Sequence, residues 1–471
     1  MTTIKRLTNK EVPVDNDLIA IWDSQAGRTR NTSFAGAESL LFGDVNPVVN
    51  VAYSAPNLVI NYYNGTTKIN ESEFIMVSKL DIDWDVHVPF NEGVEMARGV
   101  GSVDANGNRA VDFSRASTTG NINKSGQSET VAIDTPSIRE SGLDCVGSYT
   151  SLLRHSNDIT NGIWNKVGVT ASSNSITESA STGQHFVSQP RTIVSGTEYC
   201  LQCKVKSQDI QYVRFQGGAG FPADADFDLF NGRIVKSTLG KASIEKVDGD
   251  FYLISLINKS NGTSSFPTLF ILDPTGQVTS FPGNGVSTLD VKNFTMSDTN
   301  FISPYIETTT IPVVRSADIS SFDSLGNLPA IGESFYIFSD VKIDLSNKTV
   351  RYILDHNQSE TNGWSLHLDE FGTLFFTASG GDNAVFASHS GITESGIYNI
   401  CIGFDGEMIK LYVDGAIKGD NEITLIDYDF LDAVSVGSDF ANGNHLNSSI
   451  KNLRIKNGDL TDEEIKLIAG V

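Results

Sequence analysis

The stretch from Phe404 to Gly415 reads Phe-Asp-Gly-Glu-Met-Ile-Lys-Leu-Tyr-Val-Asp-Gly, an alternating run closed at each end by an Asp-Gly pair. Alternate side chains of a strand point to opposite faces, and Asp-Gly tolerates the left-handed backbone that tight hairpin turns demand. A chain punctuated in this way is committed to antiparallel strands. The same grammar recurs elsewhere. Asn57-Leu58-Val59-Ile60-Asn61-Tyr62-Tyr63 is closed by Asn64-Gly65, and Glu73 to Leu80 is a suitable partner run. Phe227 to Val235 forms a hairpin around Asn231-Gly232, Tyr199 to Lys206 and Tyr212 to Gln216 alternate, and Phe251 to Ile257 is apolar enough for a buried strand. Gly168 to Phe186, poor in large apolar residues, supplies strand edges or loops. With 42 glycines, 19% charged residues and no heptad repeat, the chain is expected to be all-β. Its 471 residues exceed one ordinary core and suggest about three domains.

A formal charge of -23 argues against a nucleic-acid surface, because phosphate affinity comes mainly from Lys and Arg. Nothing approaches the ~18 consecutive apolar residues of a membrane helix, and polar Met1 to Lys10 reads as neither signal peptide nor anchor. Folding in a cytosol, without membrane insertion, is expected. Four cysteines fit that compartment. The lone Cys200-x-x-Cys203 lies in an alternating strand that points the two thiols to opposite faces, so structural cysteines are expected. Asn64-Gly65-Thr66 and Asn261-Gly262-Thr263 are then turn residues.

Catalysis finds no sequence signature. A glycoside hydrolase needs two carboxylates converging at roughly 5 to 9.5 Å. Asp224, Asp226 and Asp228 would share one face of a strand, Asp369 and Glu370 would point apart, and solvated acids are the default for a chain with 57 of them. There is no Gly-x-Ser-x-Gly, no His-Glu-x-x-His and no phosphate-binding loop. The seven histidines form no ligand-spaced cluster, so no metal and no cofactor is expected. Asp405 and Asp414 are turn residues first, with calcium binding as the alternative. A non-enzymatic binding protein is the expectation.

At the amino end, Leu18, Ala20 and Trp22 alternate with Ile19, Ile21 and Asp23, and Gly27 to Thr32 turns the chain back. This small hairpin has too little core to stand alone. Association would cover Leu18, Ile21 and Trp22, against a partner surface or against further copies in an oligomer.

Asp112-Phe113-Ser114-Arg115-Ala116-Ser117-Thr118-Thr119 resembles a segment that recurs in fibre and spike proteins of tailed bacteriophages. Asn123-Lys124-Ser125-Gly126, Ile133 to Ile138, Gly142-Leu143 and Ser151 to Ser156 continue the resemblance. Ser303-Pro304-Tyr305-Ile306-Glu307-Thr308 with Val314-Arg315-Ser316-Ala317-Asp318 forms a second block. The run Asp17 to Asp23 with Gly27 to Arg30 is similar to the docking segments of such fibres. Farther on, Phe335 to Ile343, Phe404 to Gly415, and Ile450 to Gly458 followed by Leu460 to Ile465 resemble laminin-G or concanavalin-like lectin sandwiches. Thr461 with Glu464 is also a capping box in its own right.

The resemblance implies a virion docking segment over 1-43, a small β-unit over 44-98, a jelly-roll-like carbohydrate-module sandwich over 99-320 and a lectin-like sandwich over 325-471. It implies a virion appendage, made in a host cytoplasm, with virion head or tail proteins and a host-surface polysaccharide as partners. The alternatives are a structural decoration protein or a polysaccharide depolymerase. Sugars stack on exposed aromatic faces and bond planar polar groups. Trp364, with Asn362 and His367, is the candidate cluster. If Trp364, Leu366 and Leu368 instead line a core, His367 faces the other way and the cluster dissolves. Trp164 is expected to pack a sandwich edge.

Overall fold

The computed structural model describes residues 18–23, 28–33, 48–54, 57–64, 67–75 and 84–469, except 92–93, 95, 97–101, 104–108, 126, 360–361, 381–382, 424 and 427–432. Two compact units divide the chain, Met1–Asp83 and Trp84–Val471. In the first, Leu18–Asp23 pairs antiparallel with Arg28–Ser33, so the expected hairpin is present. The side chains of Leu18, Ile21 and Trp22 lie outside the described part. Val48–Ser54, Asn57–Asn64 and Thr67–Ile75 form a separate antiparallel sheet. The partner of Asn57–Asn64 begins at Thr67, six positions before the expected Glu73, with Asn64 opposite Thr67. This register sets Leu58 against Phe74.

The second unit contains two sandwiches. In the first sandwich, one sheet runs in the order Val169–Ala171, Ser175–Glu178, Thr288–Ser297, Glu198–Ser207, Phe251–Lys259, Lys241–Val247. The facing sheet runs Asn165–Val167, Thr182–Ser188, Thr268–Ile271, Tyr212–Gln216, Asp224–Asp228, Arg233–Thr238. Inward residues such as Leu201, Cys203, Phe215, Phe227, Leu256 and Phe294 fill the space between them. Trp164 is buried in this core, 4.9 Å from the ring of Phe294, and its Nε1 donates to the His155 carbonyl. It packs as expected.

The second sandwich pairs a sheet ordered Ile138–Arg139, Gly142–Cys145, Ser448–Asn457, Phe335–Ile343, Gly396–Phe404, Met408–Val413, Ala416–Glu422 with one ordered Asn383–His389, Leu374–Gly380, Asn362–Leu368, Arg351–Ser359, Ala433–Val436, Ile319–Asp323, Asp112–Ser114. Val86–Val88 also pairs with Ser448–Asn457. The hairpin between Met408–Val413 and Ala416–Glu422 turns at Asp414-Gly415, both with positive φ (50° and 72°), as the dipeptide requires. The helix Asp462–Ala469 starts on the expected box, with Thr461 N donating to Glu464 Oε2 (2.8 Å) and Glu464 N donating to Thr461 Oγ1 (3.3 Å).

Strand partnership crosses the expected boundary near residue 320. Asp112–Ser114 adds an edge to the second sandwich through Ile319–Asp323, and Gly142–Cys145 pairs with Ser448–Asn457. The first sandwich, roughly 149–315, is inserted into the second, and Tyr149–Ser151 and Val313–Arg315 pair where the chain enters and leaves it. Val86, Val88 and Phe90 are fully buried in the second core.

Candidate ligand cleft

The two sequence blocks meet in a buried ion node. The Arg115 guanidinium donates to Asp318 Oδ1 (3.1 Å) and to the carbonyls of Ser117, Ala132 and Thr135. Arg315 grips the same carboxylate through Nη2 at 2.9 and 2.8 Å and donates through Nε to Thr119 Oγ1. Asp318 Oδ2 also accepts from the Val146 amide (3.0 Å). All three side chains are buried. Two guanidiniums around one carboxylate leave a positive charge, but seven further hydrogen-bond acceptors, five of them carbonyls, absorb it. The node ties the hairpin strands Thr119–Ile122 and Ser128–Val131 to the junction of the sandwiches.

That hairpin forms one wall of a cleft of about 360 Å³. The outer face of Glu198–Ser207 supplies Gln202 and Lys204 as its floor, and Ser303 to Glu307 forms another wall, with Arg139, Asn157 and Asn293 at its sides. Gly120 N donates to the Tyr305 carbonyl at 2.5 Å, and a Cβ on Gly120 would lie 2.5 Å from that oxygen, so the walls can approach only without a side chain there. Lys204 is 4% exposed and bonds Ser128 Oγ. Its nearest carboxylate, Asp248, is 3.8 Å away and already held by Lys292 at 2.6 Å. Burial lowers the Lys204 pKa, Asp248 opposes that, and Lys292 and Arg139 reinforce it. Asn121, also 4% exposed, donates to Glu129 Oε1 (2.8 Å) and to the Ile138 carbonyl (3.0 Å), while its Oδ1 has no partner. Arg139 donates through Nε to Asp144 (2.6 Å). Planar amides, a guanidinium, an ammonium and the Tyr305 ring thus converge on one cavity, which suits a hydroxylated ligand.

The expected cluster around Trp364 does not form. Trp364 is 1% exposed, its ring 6.0 Å from Phe335 and 5.9 Å from His356 in the second core, with Leu366 and Leu368 beside it. A ring in that position offers no face to a sugar. His367 is on the opposite face, as alternation requires. Tyr352 (5.0 Å) and Phe375 (5.5 Å) stack on its two sides in a cross-strand ladder that ends in exposed Phe386. Its ring faces are occupied, and burial lowers its pKa to about 4 against the opposing pull of Asp369. Asn362, exposed, opens its strand opposite Ser359.

The acids are likewise committed. Asp226 makes a bidentate pair with Arg214 (2.6 and 2.9 Å), and Asp228 accepts from Phe230 N, Asn231 and Gln211 at its turn. Asp405 pairs with Lys410 (2.7 Å), and Asp414 accepts from Asn399 N. Among the described residues no group of three or more His, Cys, Asp or Glu is placed to hold a metal. All four cysteines are free and buried, and burial pushes the Cys200 thiol up to about 12. No described helix is long and apolar enough to cross a membrane.

The sequence blocks ran through the cleft's walls without marking it as a cleft. The available signal was the polar alternation of Gln202 and Lys204 against Leu201, Cys203 and Val205.

A comparison with curated proteins finds no match. Among solved structures, the chain is similar to the binding domain of botulinum neurotoxin DC in complex with SialylT, at 18% identity over 32% of this chain and 38% of that one, with a TM-score of 0.26. It is similar to the Ruminococcus gnavus IT-sialidase CBM40 at 15% identity over 32% of this chain and 93% of that one, TM-score 0.27. The chain spans about 40% of the length of the neurotoxin domains it matches. Residues 341–466, most of the second sandwich, match the laminin-G-type family model of the concanavalin A-like lectin/glucanases superfamily.

Proposed function

We propose that the protein is a glycan-binding appendage of a tailed-phage virion, docked by residues 1-43, homotrimeric, and acting without catalysis. The lectin-superfamily match over 341–466 carries the glycan half of this reading. The Asp112 to Thr119 and Ser303 to Asp318 blocks motivate the virion half. The polar cleft beside them is where we place a saccharide, and several copies on one particle would let weak sites hold a host surface. A glycan array with the full chain, alongside labelled antibody on intact virions, tests both halves. Binding to at least one glycan family and labelling of particles are expected, and an array with no binding removes the glycan half.

The buried node favours one rival. If the recurrent blocks persist for the sake of Arg115, Asp318 and Arg315, a structural decoration protein would retain them equally well. That protein would label virions and bind no glycan.

A further inference from the structure

Three features of the cleft point to the charge of what it holds. Lys204 is nearly buried, yet the one carboxylate that pairs with it among the described residues belongs first to Lys292. Burying an ammonium is costly unless a partner compensates it, and here the compensation is shared between two lysines. Arg139 stands at the same cavity with Nε committed to Asp144, and its Nη groups make no hydrogen bond among the described residues. Asn121 has both amide protons committed and its carbonyl oxygen orphaned. The cavity therefore lacks an anionic acceptor of its own for Lys204 and for the Nη groups of Arg139, and a hydroxyl donor near Asn121. Besides Asp144, Asp248 and Glu245, the acids facing these cations, the cavity is lined by Glu129, which accepts from Asn121 and Asn123, and by exposed Glu307. In a chain of net charge -23, a pocket floored by an undercompensated cation is a local exception.

Resting on the glycan reading, we propose that the cleft takes an acidic saccharide. Its carboxylate is held by Lys204 and Arg139, and a ring hydroxyl donates to Asn121 Oδ1. One molecule of this class supplies both missing partners. A simple anion supplies only the first and a neutral sugar only the second. The volume of about 360 Å³ lies within the ~300–1,000 Å³ of small-ligand sites.

The test is calorimetric titration of the full chain with digalacturonate, sialyllactose and a hyaluronate tetrasaccharide, each beside its methyl ester, with sodium sulfate as an anion control. At least one acid is expected to bind tenfold or more tighter than its ester. Lys204→Met should abolish that ratio while the melting temperature holds, and Glu129→Gln, on the exposed rim, should tighten the acid two- to threefold. Equal binding of acids and esters overturns the acidic class and leaves the glycan reading standing. Sulfate binding as tightly as the best acid reduces the site to an anion hole and overturns the saccharide. Preference for an acid that survives Lys204→Met places the site elsewhere. Array binding to other glycans, with no response to any acid, also overturns this cleft. Failure of every glycan overturns both readings.

Discussion

The Arg115–Asp318–Arg315 node and the Lys204 cleft share one hairpin and parts of the same sequence blocks, yet they treat buried charge differently. In the node, each guanidinium proton faces a carboxylate, a carbonyl or a hydroxyl, and the anion is saturated by three donors. In the cleft, one carboxylate serves two ammonium groups and an amide oxygen goes without a partner. Charge burial alone does not identify a site. A completed set of partners makes a joint, and an incomplete set beside a cavity makes a place for a ligand.

The sharpest way to break this contrast is Asp318→Ala, which strands two buried guanidiniums. Removing one partner of a buried pair typically costs about 3–5 kcal/mol, and urea unfolding should show a loss of that size. A loss below about 1 kcal/mol would mean the node is not a joint. Trp364→Ala should cost a similar ~3–5 kcal/mol through the cavity it opens and leave glycan affinity unchanged in the protein that stays folded. A loss of affinity without a drop in melting temperature would return Trp364 to the binding surface.

His367 gives a graded version. Burial favours its neutral form in the fold, with the pKa near 4 instead of the ordinary 6.5. Its contribution is therefore complete above about pH 6.5 and is lost as the pH falls from 6.5 through 4. The loss amounts to about 3 kcal/mol at most. Unfolding free energies of wild type and His367→Phe, measured from pH 8 to pH 4, should diverge only in that window. Parallel curves would show that the ladder does not restrain the imidazole. Lys204→Met is expected to have the smallest effect, within about 1 kcal/mol of wild type or slightly stabilising, because an apolar side chain of similar length removes an ill-compensated charge. A loss comparable with Asp318→Ala would erase the distinction between joint and cleft.

What could be read in advance was local chemistry. Asp414-Gly415 and Asn231-Gly232 name their turns whatever lies elsewhere, and Thr461 with Glu464 caps a helix from three residues away. Alternation revealed strands but not which face was wet, since Trp364 and His367 alternate equally well in either orientation. Only the arrival of Phe335 against the indole settled that. The edge formed by Asp112–Ser114 depends on Ile319–Asp323, some 200 positions on, and no pattern within either segment names the other. The cleft was harder still, because its walls come from eight separate places in the chain between Thr118 and Glu307 and its decisive feature is a missing hydrogen bond. The expected boundaries set residues 44-98 apart from both sandwiches, yet a fragment starting at residue 99 would discard Val86, Val88 and Phe90 from the second core.

The insertion of one sandwich within the other also sets a schedule for the ribosome. Gly142–Cys145 emerges roughly 300 residues before the Ser448–Asn457 strand that it pairs with, and Val86–Val88 earlier still. At about 5–20 residues per second, those strands wait on the order of 15–60 s with their apolar faces uncovered. During that interval the inserted sandwich has all its strand partners within 149–315 and can close first. It would then hold Cys145 and Ile319, the two ends of the interrupted sandwich, near one another while the remainder is translated.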